Sequence, residues 1–156
     1  MIRHRQGNLL EELAEVLALA QQPHPIVLHG VNCQGKAGAG IALSLRQAYP
    51  KAFSTYFTAC QGKRLQPGEI LVYESEQLSL LHCATQEFYG RQGRARVEWV
   101  DSVFEKARLW LTDRPTAIMP RIGSGLGGLD WQQEVLPLLT KHFNGWPGQL
   151  TVYHLQ

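Results

Sequence analysis

A chain of 156 residues with 44% apolar side chains fits one domain spanning 1–156 and excludes wholesale disorder. Its formal charge of +2 is too small to mark a nucleic-acid binder by itself, although Arg91, Arg94 and Arg96 cluster locally. No apolar run reaches the roughly 18 to 20 residues that span a bilayer, residues 1–7 lack a signal core, and the widely spaced Cys33, Cys60 and Cys83 give neither a disulfide framework nor a zinc site. The expectation is a soluble, cytoplasmic monomer with no membrane contact, no metal and no cofactor.

In chain order, residues 9–20 place Leu9, Leu10, Leu13, Val16, Leu17 and Ala20 on one helical stripe, with Glu11, Glu12 and Glu15 off it. Asn8 holds the N-cap position, and Pro23 and Pro25 end the helix. Residues 26–31 read as an apolar strand running into the glycine-rich segment 32–40. A helix follows over 41–48, and Pro50 ends it or begins another reaching about Cys60. Strands are expected at 69–73 and 78–83, then a polar, arginine-rich connection over 85–94. The next helix presents Val97, Val100, Phe104, Ala107, Leu109 and Leu111 to the core. The pattern then repeats: a strand at 116–119, a glycine loop at 123–128, and a helix opening at Asp130. Asp130 and Gln133 have the spacing of a capping box, and Pro137 predicts a tight first turn or a kink. A strand at 150–155 ends the chain. This alternation predicts one three-layer α/β/α sandwich around a central mixed, largely parallel sheet.

Two segments therefore share the order apolar strand, glycine-rich loop, helix. In open α/β sheets ligands bind in the crevice at the carboxyl ends of the strands. Glycine lets the backbone approach a ligand closely and aim its amides at phosphate oxygens, and a helix start adds positive partial charge. Two such loops facing one crevice suit a diphosphate; for either loop alone, turn and packing duty is the competing reading. Residues 30–37 come within one residue of the nucleoside triphosphate loop G-x-x-x-x-G-K-[ST], but Ala37 replaces the hydroxyl that holds magnesium and the motif starts inside the strand. Gly35, Gly38 and Gly40 are spaced G-x-x-G-x-G, which does not make a dinucleotide fingerprint.

Taken together, Gly7-Asn8-Leu9-Leu10, Val31-Asn32-Cys33-Gln34-Gly35, Gly38-Ala39-Gly40-Ile41-Ala42 and the run from Met119 to Trp131 resemble the macrodomain family. The resemblance is to the branch holding terminal ADP-ribose glycohydrolase-like proteins, DarG-like DNA-ADP-ribose hydrolases and fungal-type ADP-ribose 1″-phosphate phosphatases. It covers nearly the whole chain and implies a cleft for ADP-ribose or an ADP-ribosylated substrate. By that resemblance Asn8 and Leu9 meet the adenine, and Asn32 meets the distal ribose. Gly35, Gly38, Ala39, Gly40 and Ile41 form the first loop over the distal ribose and phosphate. Arg121, Gly123, Ser124, Gly125, Leu126 and Gly127 belong to the second loop around the diphosphate, and Thr85 matches a family threonine. Asp130 caps the helix behind.

The same resemblance implies Asn32 and His29 as the catalytic candidates, Asn32 orienting the ribose and His29 serving as acid or base. A packed strand histidine is the competing reading for His29, as for His82. The chain departs from the hydrolase branches at Gln86, where they carry a lysine, and at Gly127, where one type has an aspartate, so a lysine nucleophile is not available there. Lys36 reads as a solvated loop lysine and Cys33 as packing. Arg91, Arg94 and Arg96 are expected beside the cleft, binding a phosphate or a nucleic acid, or else solvated. The leading expectation is hydrolysis of a group on the distal ribose, an ADP-ribose 1″-phosphate or an O-linked adduct. A non-catalytic ADP-ribose reader and a DNA or protein de-ADP-ribosylating hydrolase are the rivals.

Overall fold

The computed structural model describes residues 1–18, 24–90 and 93–155, with side chains described for all of these except 16–18. Val16, Leu17, Ala20, Pro23 and Arg91 as singled out above therefore lie outside the described residues or side chains. The elements are β1 (Ile2–Gln6), α1 (Leu9–Ala18), β2 (Ile26–Val31), α2 (Gly40–Ala48), α3 (Pro50–Gln61), β3 (Ile70–Glu74), β4 (Ser79–Ala84), α4 (Val97–Trp110), β5 (Thr116–Pro120), α5 (Leu136–Phe143) and β6 (Gln149–His154). The strands form one sheet in the order β1-β6-β5-β2-β4-β3, parallel throughout except where β3 runs against β4.

Strand alternation divides the core into two layers. Ile26 and Leu28 of β2, Leu81 and Cys83 of β4, and Leu150 and Val152 of β6 face α4 and α5, packing on Val100, Phe104, Leu139 and Phe143. Val27 and Val31, Leu80 and Ala84, and Tyr153 face the other way, onto Leu9, Leu13, Leu45, Phe53 and Tyr56 of the first three helices. The result is the expected three-layer sandwich with a mixed, largely parallel sheet. Because β2 and β5 are parallel neighbours, with Val27 opposite Ile118, the loops that leave their carboxyl ends emerge side by side. That adjacency positions the site.

Several local expectations are corrected. β1 was not foreseen: Ile2-Arg3-His4-Arg5-Gln6 has one apolar residue and no alternation, and it is held by parallel pairing with β6 at the sheet edge. Val97 and Leu109 face solvent instead of the core, and Val103 is buried in their stead. The helix opening at Asp130 begins as a π turn over Trp131–Val135, in which the Leu136 amide reaches back to the Trp131 carbonyl. Pro137 has no N–H to give and its ring crowds the preceding turn, so the wider turn absorbs it. Asp130 Oδ1 accepts the Gln133 amide at 2.8 Å as the cap requires, but the reciprocal arm comes from Glu134, whose Oε2 accepts the Asp130 amide at 2.7 Å.

Candidate functional site

A cavity of about 1170 Å³ opens at the carboxyl ends of β2 and β5. It lies somewhat above the usual size range for ligand clefts, which ends at about 1,000 Å³. Its walls are the loop between β2 and α2 on one side and the loop after β5 on the other.

The first loop is held from within by Asn32. Its Oδ1 accepts the amides of Gln34 and Lys36 at 3.0 and 3.2 Å, and its Nδ2 donates to the Lys36 carbonyl at 2.8 Å. The Tyr56 hydroxyl, buried in α3, donates to the Asn32 carbonyl at 2.7 Å and also reaches Oδ1 at 3.1 Å. Gly35 takes φ +72, and a Cβ there would come within 3.4 Å of Cys60, so the loop lies flat on α3. No side chain caps α2, and the residues that carry its leading amides, Gly40 to Ala42, line the cavity.

The second loop turns through positive φ at Gly123, Gly125 and Gly128. It is closed by the Gly128 amide on the Gly125 carbonyl and the Leu129 amide on the Gly123 carbonyl, while the Ser124 hydroxyl donates to the Arg121 carbonyl at 2.9 Å.

Residues 85–90 and 93–95 strap the two loops together. Toward the first loop, the Cys33 amide donates to the Glu87 carbonyl at 3.0 Å and the Tyr89 amide to Gln34 Oε1 at 3.1 Å. Toward the second, the Ala95 amide donates to the Gly127 carbonyl at 3.0 Å. An isolated antiparallel bridge joins Gln86 to Ala95. A Cβ at Gly93 would lie 2.1 Å from the Phe88 carbonyl oxygen, so Gly93→Ala must displace the strap. Overpacking of this kind costs about 1–3 kcal/mol, and tenfold or more in ligand affinity is expected to go with it. Titration of the folded variant checks this; affinity equal to the parent would mean the strap does not shape the cleft.

The charge of the cleft is one-sided. Lys36, Arg46 and Arg121 line it, and no carboxylate does among the described residues. Lys36 Nζ stands 5.5 Å from the centre of the Tyr89 ring, and the Arg121 guanidinium 5.5 Å from that of Trp131. Amide-lined loops with cations and no anion among them attract a polyanion, and a nucleotide diphosphate has the right size and charge.

The family model for the Macro domain matches residues 28–136, from β2 through both loops to the start of α5. The chain belongs to the Macro domain family. This macro domain is 28% identical over 139 residues to a DNA ADP-ribosyl glycohydrolase of Thermus aquaticus, covering 85% of this chain and 35% of that protein. It thus spans about a third of the length of that relative. It is also 28% identical over 163 aligned residues to an ADP-ribose 1″-phosphate phosphatase of Scheffersomyces stipitis, covering 85% of this chain and 90% of that one. The solved macrodomain of Thermus aquaticus DarG superposes with a TM-score of 0.81 at 25% identity, covering 99% of this chain and 98% of its own.

Within this macro domain, most of the residues singled out from sequence come together. Asn32, Gly35, Gly38, Ala39, Gly40 and Ile41 line the cleft from the first loop, and Arg121, Gly123, Ser124, Leu126 and Gly127 from the second. Thr85 lines its floor, almost fully buried. Asn8, Leu9 and Gly125 do not line it. Asn8 Oδ1 instead accepts the Leu10 amide at 2.9 Å and caps α1, Leu9 packs in the core, and Gly125 points to solvent. Sequence reasoning missed Arg46, Phe57 and Tyr89. Arg46 was within reach, since it lies four residues beyond Ala42 and so on the same helical face. Of the expected arginine cluster, Arg96 stacks on Trp99 and Arg94 sits against Gly128, and neither lines the cleft.

His29 is corrected as an acid–base candidate. It is fully buried, points into the α3 layer between Phe53 and His82, and does not reach the cleft. His82 Nε2 faces the Ala52 carbonyl at 2.8 Å, so that nitrogen carries a proton. A neutral His82 then offers Nδ1 as acceptor to His29 Nε2–H, 2.8 Å away, leaving His29 Nδ1 buried without a partner. Burial pushes His29 well below its ordinary 6.5, with His82 adding to it, and burial brings His82 down to about 4. Both stay neutral at physiological pH. Burial, with Cys60 next in effect, raises the Cys33 thiol to about 12, which keeps it protonated and inert. Among the described residues no group of three or more His, Cys, Asp or Glu side chains is placed to hold a metal, and no helix is long and apolar enough to cross a membrane.

Proposed function

We propose that this macro domain binds ADP-ribose with its diphosphate between the two loops and hydrolyses a group on the distal ribose, either a 1″-phosphate or an O-linked adduct. The observation that carries the reading is the pair of glycine loops facing each other across one cationic, carboxylate-free cleft. It is supported by relatives named for hydrolysis of ADP-ribosyl substrates, a phosphatase among them. The distal ribose belongs at the Asn32–Gly40 end, where uncapped amides of α2 stabilise negative charge on a departing oxygen. We further propose that residues 1–156 act as a single domain, in keeping with one sheet that joins the six strands, and that this domain is cytoplasmic and monomeric.

One observation favours a second reading, an ADP-ribose reader without turnover: no histidine or carboxylate lines the cleft among the described residues. Calorimetry with ADP-ribose in the absence of magnesium, followed by a panel of ADP-ribose 1″-phosphate, an ADP-ribosylated acidic peptide and ADP-ribosylated DNA, separates the two. Binding with release of phosphate or peptide supports the first reading. Tight binding with no turnover anywhere on the panel supports the reader, release from DNA alone moves the substrate to nucleic acid, and no binding at millimolar ligand ends all of them.

A further inference from the structure

Resting on the hydrolase reading, we infer that Gln86 is the residue that positions the attacking water. Its backbone is fixed by the bridge to Ala95, and its side chain lines the cleft. Nε2 donates to the Phe88 carbonyl at 2.6 Å, which settles the orientation of the amide, because only the nitrogen can donate to a carbonyl. The oxygen is thereby turned the other way, toward Gly127, where it lies 3.8 Å from the site of a Cβ on a residue that lines the same cleft.

Asn32 and Gln86 are the two side-chain amides of the lining, and they differ in how far their oxygens are engaged. Asn32 Oδ1 already receives two backbone amides and shares the Tyr56 hydroxyl. The remaining charged side chains of the lining, Lys36, Arg46 and Arg121, only donate. Gln86 Oε1 is therefore the one uncommitted side-chain carbonyl in the cleft among the described residues. A pre-oriented amide that accepts a hydrogen bond from water aims its lone pair without taking its proton.

The step balances with water as the only co-reactant. As water attacks C1″, the new O–C1″ bond forms while the bond from C1″ to the phosphate or acyl oxygen breaks, and its electron pair leaves with that oxygen. The water proton passes to the departing oxyanion, since Gln86 cannot hold it. Phosphate and carboxylate are good enough leaving groups for this to need no carboxylate base in the cleft.

The test uses whichever panel substrate the parent protein turns over, with Gln86→Ala and Gln86→Glu. Gln86→Ala is expected to lower kcat by roughly 100-fold with KM and the ADP-ribose Kd within about twofold, the size of effect usual for a lost positioning or proton-handling contact. Gln86→Glu keeps an acceptor oxygen but loses the Nε2 donor to the Phe88 carbonyl, so it should recover only part of the rate and impose an acid limb on the pH profile where its carboxylate protonates. In ¹⁸O-water the released phosphate or carboxylate should carry no label, because the new oxygen goes to C1″, whose hydroxyl exchanges with solvent in any case. Unchanged kcat in Gln86→Ala, parallel loss of ADP-ribose binding, or label in the released phosphate would each overturn the inference while leaving the hydrolase reading standing. A parent protein that binds ADP-ribose and turns over nothing overturns both.

Discussion

Asn32→Ala should abolish tight ADP-ribose binding, lowering affinity by about 100-fold or more while the protein stays folded. The Asn32 side chain makes three hydrogen bonds to the backbone of its own loop, and its carbonyl side is pinned to α3 by Tyr56. Each such bond contributes about 1 kcal/mol net, so losing two or three of them matches a hundredfold in binding. The core barely changes, because Asn32 lies at its rim. Asn32→Asp separates geometry from charge. It keeps the acceptors for Gln34 and Lys36, but places a carboxylate oxygen against the Lys36 carbonyl and an anion beneath the phosphates. Calorimetry together with thermal melting reads both variants. If Asn32→Ala binds within threefold of the parent, the first loop is not what grips the ligand.

The second large effect is on stability, and its sign follows from the buried histidine pair. His82 titrates at about 4 in the folded chain and His29 well below 6.5, whereas both have the ordinary value near 6.5 when unfolded. Between these values the unfolded chain binds protons that the native chain refuses, so stability is complete above about pH 6.5 and falls as pH drops toward 4. His82 alone accounts for a loss on the order of 3 kcal/mol, about 2 of which is gone by pH 5. His29 adds to this in the same direction. Urea midpoints at pH 7.5, 6.5, 5.5 and 4.5 should decline in that order, and the imidazole resonances of the pair should not titrate above pH 5 in the native protein. A midpoint that is flat from pH 7 to 5 would contradict the buried neutral pair.

How much of this was legible in the sequence depends on where the information sits. The apolar run 26–31, the alternation of strands with helices and the glycine spacing are local signals, and they place the sheet and both loops correctly. β1 gave no such signal, because an exposed edge strand is defined by its pairing with β6 and not by its own pattern. His29 failed as a site residue for a related reason. Its place after Leu28 puts it within three residues of Asn32, but strand alternation turns successive side chains to opposite faces, and its face was already filled by α3. Read by parity with Val27 and Val31, His29 belongs inside. Phe57 and Tyr89 reach the cleft only through folding of distant segments, and nothing local marks them. Asn32 was found, and the structure adds a duty that the sequence did not show: its amide holds the backbone of its own loop.

The strap formed by residues 85–90 and 93–95 carries one more consequence. Its two flanks, joined by the Gln86–Ala95 bridge, are stitched to both banks of the groove, to Cys33 and Gln34 on one side and to Gly127 on the other. Swinging either bank outward would break its stitches to the strap, so the groove is expected to act as a channel of set width rather than as a pair of jaws. Selection by such a channel is harsh toward bulk across its width and lenient toward whatever trails from its open end.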